Sequence, residues 1–317
     1  MKAIEQAFEA ENPDIDLQME YHGSIQVIRH VTELKEPIDV VITADHALIP
    51  TLMYAVTNTE TNQPYADWYI RFATNHLAVA YTDASRYQDE VNSENWYEVL
   101  SRPDVKVGIA DPRFDAAGYR SFMVVKLAEE YYGDPDIFFD FFAGEFRSPV
   151  KTNDEDGLQV IHIPEIVETK PNSHIIMRGA SIQLIALLES GDLDYAFEYE
   201  SVIAQHDLNL VHLPDQLNMG EAAYQDYYDD VEVRLDFQRF QSVNPVFKGE
   251  RIGYGITIPT NSSHQEDAER FISYLLGEKG RAIMLEYQHP LFEPAYGNNY
   301  DNIPASLKDY VVPEPND

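Results

Sequence analysis

The 317-residue sequence contains no cysteine, few basic residues and no long apolar run. The absence of cysteine excludes disulfides, thiolate metal sites and cysteine nucleophiles. Only 22 lysines and arginines stand against 55 acidic residues, so the formal net charge is -33. An acidic surface repels phosphate groups, which argues against nucleic acid and anionic membranes as partners. No apolar run approaches the roughly 18 to 20 residues that a membrane-spanning helix needs.

The residues that are present are typical of a folded protein, since 44% are hydrophobic and 12% are aromatic. The acidic excess has two interpretations. It is either an ordinary property of an acidic protein or an adaptation to high salt, where the screening length falls to about 3 Å at 1 M. Lysine is scarce beside aspartate and glutamate, and this scarcity favours adaptation to salt.

The first segment, MKAIEQAFEAENP, has no positively charged region followed by an apolar stretch, so it does not encode a secretory signal. It predicts an amphipathic helix instead, because Ile4, Ala7 and Phe8 fall on one face. Asn12 and Pro13 end that helix. An α/β fold normally begins on a strand, so a start on this helix is unusual.

The next segments predict the β-α-β-α order of a doubly wound sheet. Apolar and polar residues alternate over 15–21, which is typical of a strand, and 25–34 has the spacing of a helix. Residues 38–42 form a short, almost wholly apolar run of the kind found in the middle of a parallel sheet. A further helix is expected from Asp45, as its N-cap, through Met53.

A second α/β module follows, with strands expected at 105–109 and 193–197 and helices at 120–132 and 182–188. Two long segments, 71–81 and 252–258, are predicted to be strands that cross between two lobes. The first lobe would then be discontinuous and contain both chain ends. The expected limits are 1–78 with 253–317 for the first lobe, and 79–252 for the second.

Three loops have the composition of anion sites, because each places a small or hydroxyl residue where a strand leads into a helix. Backbone N–H groups at a helix N-terminus carry partial positive charge and hold an oxyanion without any lysine. Each loop is also compatible with an ordinary cap or turn. The three loops are Gly23-Ser24, Ala116 to Ser121, and Arg178 to Ser181.

Two acidic residues accompany these loops. Asp115 directly precedes the second loop, and Glu198 lies among aromatic residues in a strand whose composition predicts burial. A buried carboxylate is costly unless it has a partner. The alternative to a functional role is that Asp115 caps a helix and that Glu198 pairs with Arg120 or Arg178.

The signatures of common enzymes and metal sites are missing from the sequence. No GxxxxGK[ST] phosphate loop, HExxH motif or GxSxG motif occurs. The ten histidines are scattered, and His22, His46 and His76 lack the i, i+4 spacing of a helical metal site. The sequence therefore predicts neither an enzyme with a nucleophile nor a histidine metal centre.

Several segments resemble archaeal tungstate/molybdate-binding proteins, and the similarity runs through nearly the whole chain in the same order. They are Gly23-Ser24, Val40 to Pro50, Ala117 to Ser121, and Leu193 to Tyr199 followed by Ser201-Val202. The sequences GYRS and DYAFEY within them are specific to this family. The resemblance implies a periplasmic-binding-protein-like α/β fold of type II, in which two doubly wound α/β lobes surround a ligand cleft.

The resemblance also implies a function and a site. A protein of this family captures tungstate or molybdate outside the cytoplasm and delivers it to the permease subunits of an ABC transporter, as a monomer without cofactor or catalysis. Carried over by motif, the ligand-binding residues are Ser24, Asp115, Ala117 and Glu198, with Glu200 as the alternative glutamate if the register of that strand differs. Asp115 and Glu198 would bond to the tungsten or molybdenum itself and raise its coordination number.

One part of the family pattern is missing. The family begins with a signal peptide, a first strand and a serine loop, whereas this chain starts inside the first helix, so we expect it to lack that strand and one anion contact. Attachment to the membrane would come from the transporter or from an anchor upstream of Met1. Two other functions stay open: an enzyme on the same fold that uses Asp115 or Glu198 as acid/base, and a cytoplasmic oxyanion-sensing domain.

Overall fold

A computed structural model of the chain describes residues 1–59, 61–236 and 246–315. Its helices are α1 (Lys2–Glu11), α2 (Ser24–Thr32), α3 (Trp96–Leu100), α4 (Ala116–Tyr132), α5 (Ile137–Phe142), α6 (Ile182–Ser190), α7 (Glu200–Gln205), α8 (Gln225–Tyr228), α9 (Gln265–Leu276) and α10 (Glu278–Glu286). Its strands are β1 (Val41–Thr43), β2 (Thr57–Asn58), β3 (Gln63–Pro64), β4 (Tyr69–Ala73), β5 (Leu77–Tyr81), β6 (Val107–Ala110), β7 (Lys151–Glu155), β8 (Leu158–Ile163), β9 (Ile175–Arg178), β10 (Tyr195–Tyr199), β11 (Asn209–His212), β12 (Val231–Leu235), β13 (Val246–Lys248), β14 (Tyr254–Thr257), β15 (Leu291–Asn298) and β16 (Val311–Pro313). Among the described helices, none is long and apolar enough to cross a membrane.

The chain divides into two compact units. The first comprises Met1–Thr74 and Gly253–Asp317, and the second comprises Asn75–Ile252. The boundary expected after residue 78 falls inside β5, which belongs wholly to the second unit. The segment 71–81, expected to be one long strand, is therefore two strands, β4 and β5, that belong to different sheets.

In the first unit, five strands form a mixed sheet in the order β1-β14-β4-β15-β16. Neighbouring strands are antiparallel except β15 and β16, which are parallel. Ile4 and Phe8 of α1 are buried in the core of this unit, where the rings of Phe8 and Phe271 meet edge to face at 5.5 Å. The amphipathic helix expected at the start of the sequence is thus confirmed.

Residues 15–21 do not form a strand, contrary to the expectation from their alternating pattern. The alternation is still expressed in burial, because Ile15, Leu17 and Met19 pack against the core of the first unit while the residues between them are exposed. A strand also needs a neighbour that pairs with its backbone groups, and no described strand pairs with this segment.

The apolar run at 38–42 and the helix expected after it also differ from the prediction. Of this run, only the last residues belong to a strand, β1. Among the described strands, β1 pairs with β14 alone and in antiparallel register. β1 is therefore an edge strand and not a central parallel strand. The expected helix is a turn at Asp45, whose Oδ1 accepts the Ala47 amide at 3.0 Å, followed by a π-helical turn at Pro50–Tyr54.

Within its described residues, the second unit contains two sheets, and both mix parallel and antiparallel strands. One has the order β11-β5-β10-β6-β9, and the other has the order β13-β12-β8-β7. In the five-stranded sheet, β9, β6 and β10 are parallel, whereas β5 runs antiparallel to both of its neighbours. Each of the three parallel strands leads within a few residues into a helix, which is the arrangement of α/β folds.

Candidate functional site

The candidate site lies at one edge of the five-stranded sheet of the second unit. There β6 leads into α4, β9 leads into α6 and β10 leads into α7. Because parallel strands end at the same edge of a sheet, the first turns of these helices lie near one another, and ligands of open α/β sheets bind at this edge. The residues that join these strands to these helices therefore form the candidate site.

Asp115 is the N-cap of α4, and its carboxylate serves two helices at once. Oδ1 accepts the Ala117 amide at 2.9 Å, and Oδ2 accepts the Ser181 amide at 3.0 Å at the start of α6. Backbone N–H groups at both helix N-termini thus stabilise this negative group. Burial raises the pKa of Asp115, while those two amides and the charge of Arg120 act in the opposite direction.

Glu198 lies in β10 and is completely buried. Its Oε1 accepts the Tyr199 amide at 2.7 Å and the Ser181 hydroxyl at 3.2 Å. No described residue donates a hydrogen bond to its Oε2. Burial raises the pKa of Glu198 to about 8; the Tyr199 amide opposes this shift, and the charge of Asp115 adds to it. At neutral pH the carboxyl group of Glu198 therefore retains its proton.

Ser181 connects the two carboxyl groups, because its amide binds Asp115 and its hydroxyl binds Glu198. Sequence analysis singles out the loop from Arg178 to Ser181 but does not include this serine among the ligand-binding residues. The available signal is a hydroxyl residue at the start of a helix. What the sequence lacks is the tertiary placement that brings two successive strand-to-helix junctions to one point.

Of the alternative roles proposed for the two acidic residues, the one for Asp115 is observed and the one for Glu198 is not. Asp115 does cap a helix, as expected. Glu198, however, accepts no hydrogen bond from an arginine among the described residues. Arg120 Nη1 donates to the Tyr199 hydroxyl at 2.8 Å, and Arg178 Nη1 donates to the Met177 carbonyl at 2.9 Å.

The GYRS segment supports the site from within α4. The Tyr119 ring stacks on the Phe247 ring with centroids 4.4 Å apart, and the Ser121 hydroxyl donates to the Ala117 carbonyl at 2.6 Å. Arg120 is buried and ties α4 to the end of β10 through Tyr199. These contacts fix the helix that carries the Asp115 cap.

The other predicted site residues have distinct positions. The Ala117 amide is already bonded to Asp115. Ser24 is the first residue of α2 in the first unit, and its Oγ accepts the Ala44 amide at 3.0 Å. The structure thus brings together Asp115, Ala117 and Glu198, while Ser24 belongs to the other unit.

Glu200 has surroundings unlike those of Glu198. It begins α7, and its carboxylate forms ion pairs with His76 at 3.4 Å and with His212 at 2.7 Å. Burial alone would raise the pKa of Glu200, but the hydrogen bonds from these two histidines hold it below its usual value. Its oxygens are therefore committed to histidines, whereas no described residue hydrogen-bonds to Oε2 of Glu198.

Gly118 allows α4 to begin close to the end of β6, and its substitution is expected to destabilise the second unit. A Cβ at this position would lie 2.6 Å from the Ala110 carbonyl oxygen and 2.7 Å from the Pro112 nitrogen, both backbone atoms that cannot rotate away. We expect Gly118→Ala to lower the free energy of unfolding by about 1–3 kcal/mol, measured by urea denaturation. Gly179→Ala is the matched control, because its Cβ would meet only the Gln183 side chain at 3.8 Å. Equal stability of the two variants would contradict the close approach.

Comparison with known protein sequences places these features in a family. A family profile described as "Bacterial extracellular solute-binding protein" matches residues 1–287. A protein of Thermococcus kodakarensis named molybdate/tungstate-binding protein WtpA is 38% identical over 299 residues, which cover 94% of this chain and 78% of that protein. An uncharacterized solute-binding protein of Staphylothermus marinus is 37% identical over 306 residues, covering 94% of this chain and 82% of that protein.

Comparison with solved structures supports the fold. The periplasmic molybdate-binding protein of Azotobacter vinelandii has a TM-score of 0.56 at 14% identity, over 92% of this chain and 94% of that chain. The sulfate-binding protein SubI of Mycobacterium tuberculosis also has a TM-score of 0.56, at 13% identity, over 98% of this chain and 87% of that chain. The expected periplasmic-binding-protein-like α/β fold is thus confirmed, with mixed sheets in both units.

Proposed function

Since the chain belongs to the family of bacterial extracellular solute-binding proteins, we propose that it captures tungstate or molybdate and delivers it to an ABC importer. Proteins of this family are transport receptors rather than enzymes, so the alternative of acid/base catalysis by Asp115 or Glu198 is not supported. The family is also extracellular, which does not favour a cytoplasmic oxyanion sensor. The choice of oxyanion depends on the two buried carboxyl groups.

One observation carries the proposal: Glu198 is completely buried, yet no described residue donates a hydrogen bond to its Oε2. A buried polar atom without a partner is costly, and such an atom in a native fold calls for an explanation. A bound group that accepts an oxygen ligand explains it. Tungsten(VI) and molybdenum(VI) are large, hard centres that take additional oxygen ligands, so this oxygen can bond to the metal of the oxyanion.

Asp115 supplies the second carboxylate. Each of its oxygens accepts one backbone amide, which fixes the orientation of the group and leaves further lone pairs for a ligand. Sulfur in sulfate does not expand its coordination, so once Glu198 has released its proton the two carboxylates offer sulfate only repulsion between oxygens. The site would therefore select metal oxyanions by rejecting sulfate and phosphate as well as by bonding the metal.

Ser24 and Ala117 are proposed contacts to the oxygens of the ligand. The Ser24 hydroxyl accepts the Ala44 amide, which leaves its own hydrogen available for donation. The Ala117 amide donates to Asp115, so a ligand oxygen would have to share that N–H in a bifurcated bond. We propose these two contacts for orientation and the two carboxylates for selectivity.

Titration calorimetry with tungstate, molybdate and sulfate tests the proposal. At least one metal oxyanion should bind in the micromolar range or tighter, whereas sulfate at the same concentrations should give no binding heat. The reason is that only the metal oxyanions satisfy Oε2 of Glu198 by coordination. Binding of sulfate as tight as that of tungstate would refute the assignment, and so would the absence of heat with either metal oxyanion.

A further inference from the structure

A second group of potential ligands lies in the first unit, apart from the carboxyl groups of the second. Glu20 and His22 precede α2, and His30 is in its last turn. Each offers one nitrogen or oxygen atom, and these three atoms lie within 4.8 Å of one another. Two imidazoles and one carboxylate are a donor set that suits zinc and related divalent transition metals.

The three side chains lie close together, and one pair already has the spacing of two metal ligands. His22 Nε2 lies 3.5 Å from Glu20 Oε2, and the rings of His22 and His30 are stacked with centroids 4.6 Å apart and planes 29° from parallel. Two ligands at about 2.0–2.2 Å from a tetrahedral zinc ion are about 3.3–3.6 Å apart. The His22–Glu20 pair already has this separation. The stacked rings hold their in-plane lone pairs nearly side by side, so the His22 ring must turn before both nitrogens can reach one ion. The segment before α2 is not part of a regular element and allows that turn.

A fourth residue orients one of the ligands. Glu36 Oε2 lies 2.6 Å from His30 Nδ1. A histidine that donates its Nδ1 hydrogen to a carboxylate has its free lone pair on Nε2, and this carboxylate–histidine arrangement is the usual second layer of zinc sites. An exposed ion pair alone would explain the contact between Glu20 and His22. It does not account for a second histidine beside His22 whose Nδ1 is held by a second carboxylate.

We propose that Glu20, His22 and His30 bind one divalent transition-metal ion of the zinc class, with Glu36 as a positioning residue and water completing the coordination. The sequence does not reveal this site through an i, i+4 pair. His22 and His30 are eight positions apart and meet because the segment before α2 places the first beside the helical turn that carries the second. This proposal does not depend on the oxyanion function.

Calorimetry with zinc chloride on the full chain, in the absence of any oxyanion, tests the site. The unmodified protein should bind one ion in the micromolar range. His22→Ala should weaken zinc binding at least tenfold because it removes a ligand, and Glu36→Gln should weaken it about 10- to 100-fold. Since the chain is strongly acidic, His206→Ala serves as the matched control for nonspecific attraction of cations; His206 is a partly exposed histidine beside Glu189 in the second unit.

Two results would overturn the site. One is the absence of zinc binding at millimolar concentrations by the unmodified protein. The other is a loss in His206→Ala equal to that in His22→Ala, which would mean that zinc binds diffusely to acidic groups. His22 is partly exposed, so its variant is expected to fold. A melting temperature without zinc that equals that of the unmodified protein confirms that binding, not folding, is affected.

Discussion

Replacing Glu198 with glutamine should weaken tungstate and molybdate binding by at least about 100-fold, which corresponds to about 2.7 kcal/mol. Glutamine has the same shape, and its amide oxygen can still accept from Ser181 and Tyr199 as Oε1 does. The group in place of Oε2 becomes an uncharged amide nitrogen, which is a poor ligand for a hard metal centre. Calorimetry with both oxyanions measures the loss.

Glu200→Gln is the matched control, because Glu200 is the alternative glutamate two positions along the chain. Its carboxylate is engaged by His76 and His212, so we expect the affinity to change by less than about threefold. The opposite pattern, with tight binding retained in Glu198→Gln and lost in Glu200→Gln, would transfer the ligand role to Glu200. The affinity of the unmodified protein should also rise with pH up to about 8, since coordination requires Glu198 to release its proton.

The sequence alone identifies the unusual residues of the site but not their connection. Glu198 stands out because an acidic residue among aromatics in a strand is costly to bury, and Asp115 stands out because it precedes a small-residue helix start. Both observations depend on neighbours in sequence. The link through Ser181 depends on β6, β9 and β10 being adjacent and parallel, which no local pattern encodes.

At two other places in the fold, the local sequence pattern again does not predict which strands pair. Alternation over 15–21 correctly predicts which side chains face the core, yet the segment is not a strand, since pairing needs a partner that alternation does not specify. The run 71–81 keeps a strand-like composition across the boundary between two units, so its division into β4 and β5 is not visible locally. Helices such as α1 and α6 were predictable because their period is internal to the segment.

Burial of Glu198 should also have a cost that appears without any ligand. Its pKa rises from 4.5 to about 8 on folding. Between these values the unfolded chain has lost the proton while the folded protein retains it, so the folded state binds more protons and stability falls as pH rises. Each unit of pKa difference corresponds to about 1.4 kcal/mol, so the cost at pH 8 is on the order of a few kcal/mol. Below the unfolded pKa the cost vanishes.

Glu198→Gln should therefore make the ligand-free protein more stable than the unmodified one at about pH 8, with an advantage that shrinks toward about pH 5. Urea denaturation at the two pH values measures this change.

Glu145→Gln is the control with the opposite sign. Despite burial, hydrogen bonds from Ser173 and His174 hold the pKa of Glu145 low, so loss of this carboxylate should destabilise the protein at neutral pH. An advantage of Glu198→Gln that did not grow with pH would mean that the carboxyl group is not held protonated by burial. A variant that is more stable but no longer binds the oxyanion would show that Glu198 lowers the stability of the fold and is needed for ligand binding.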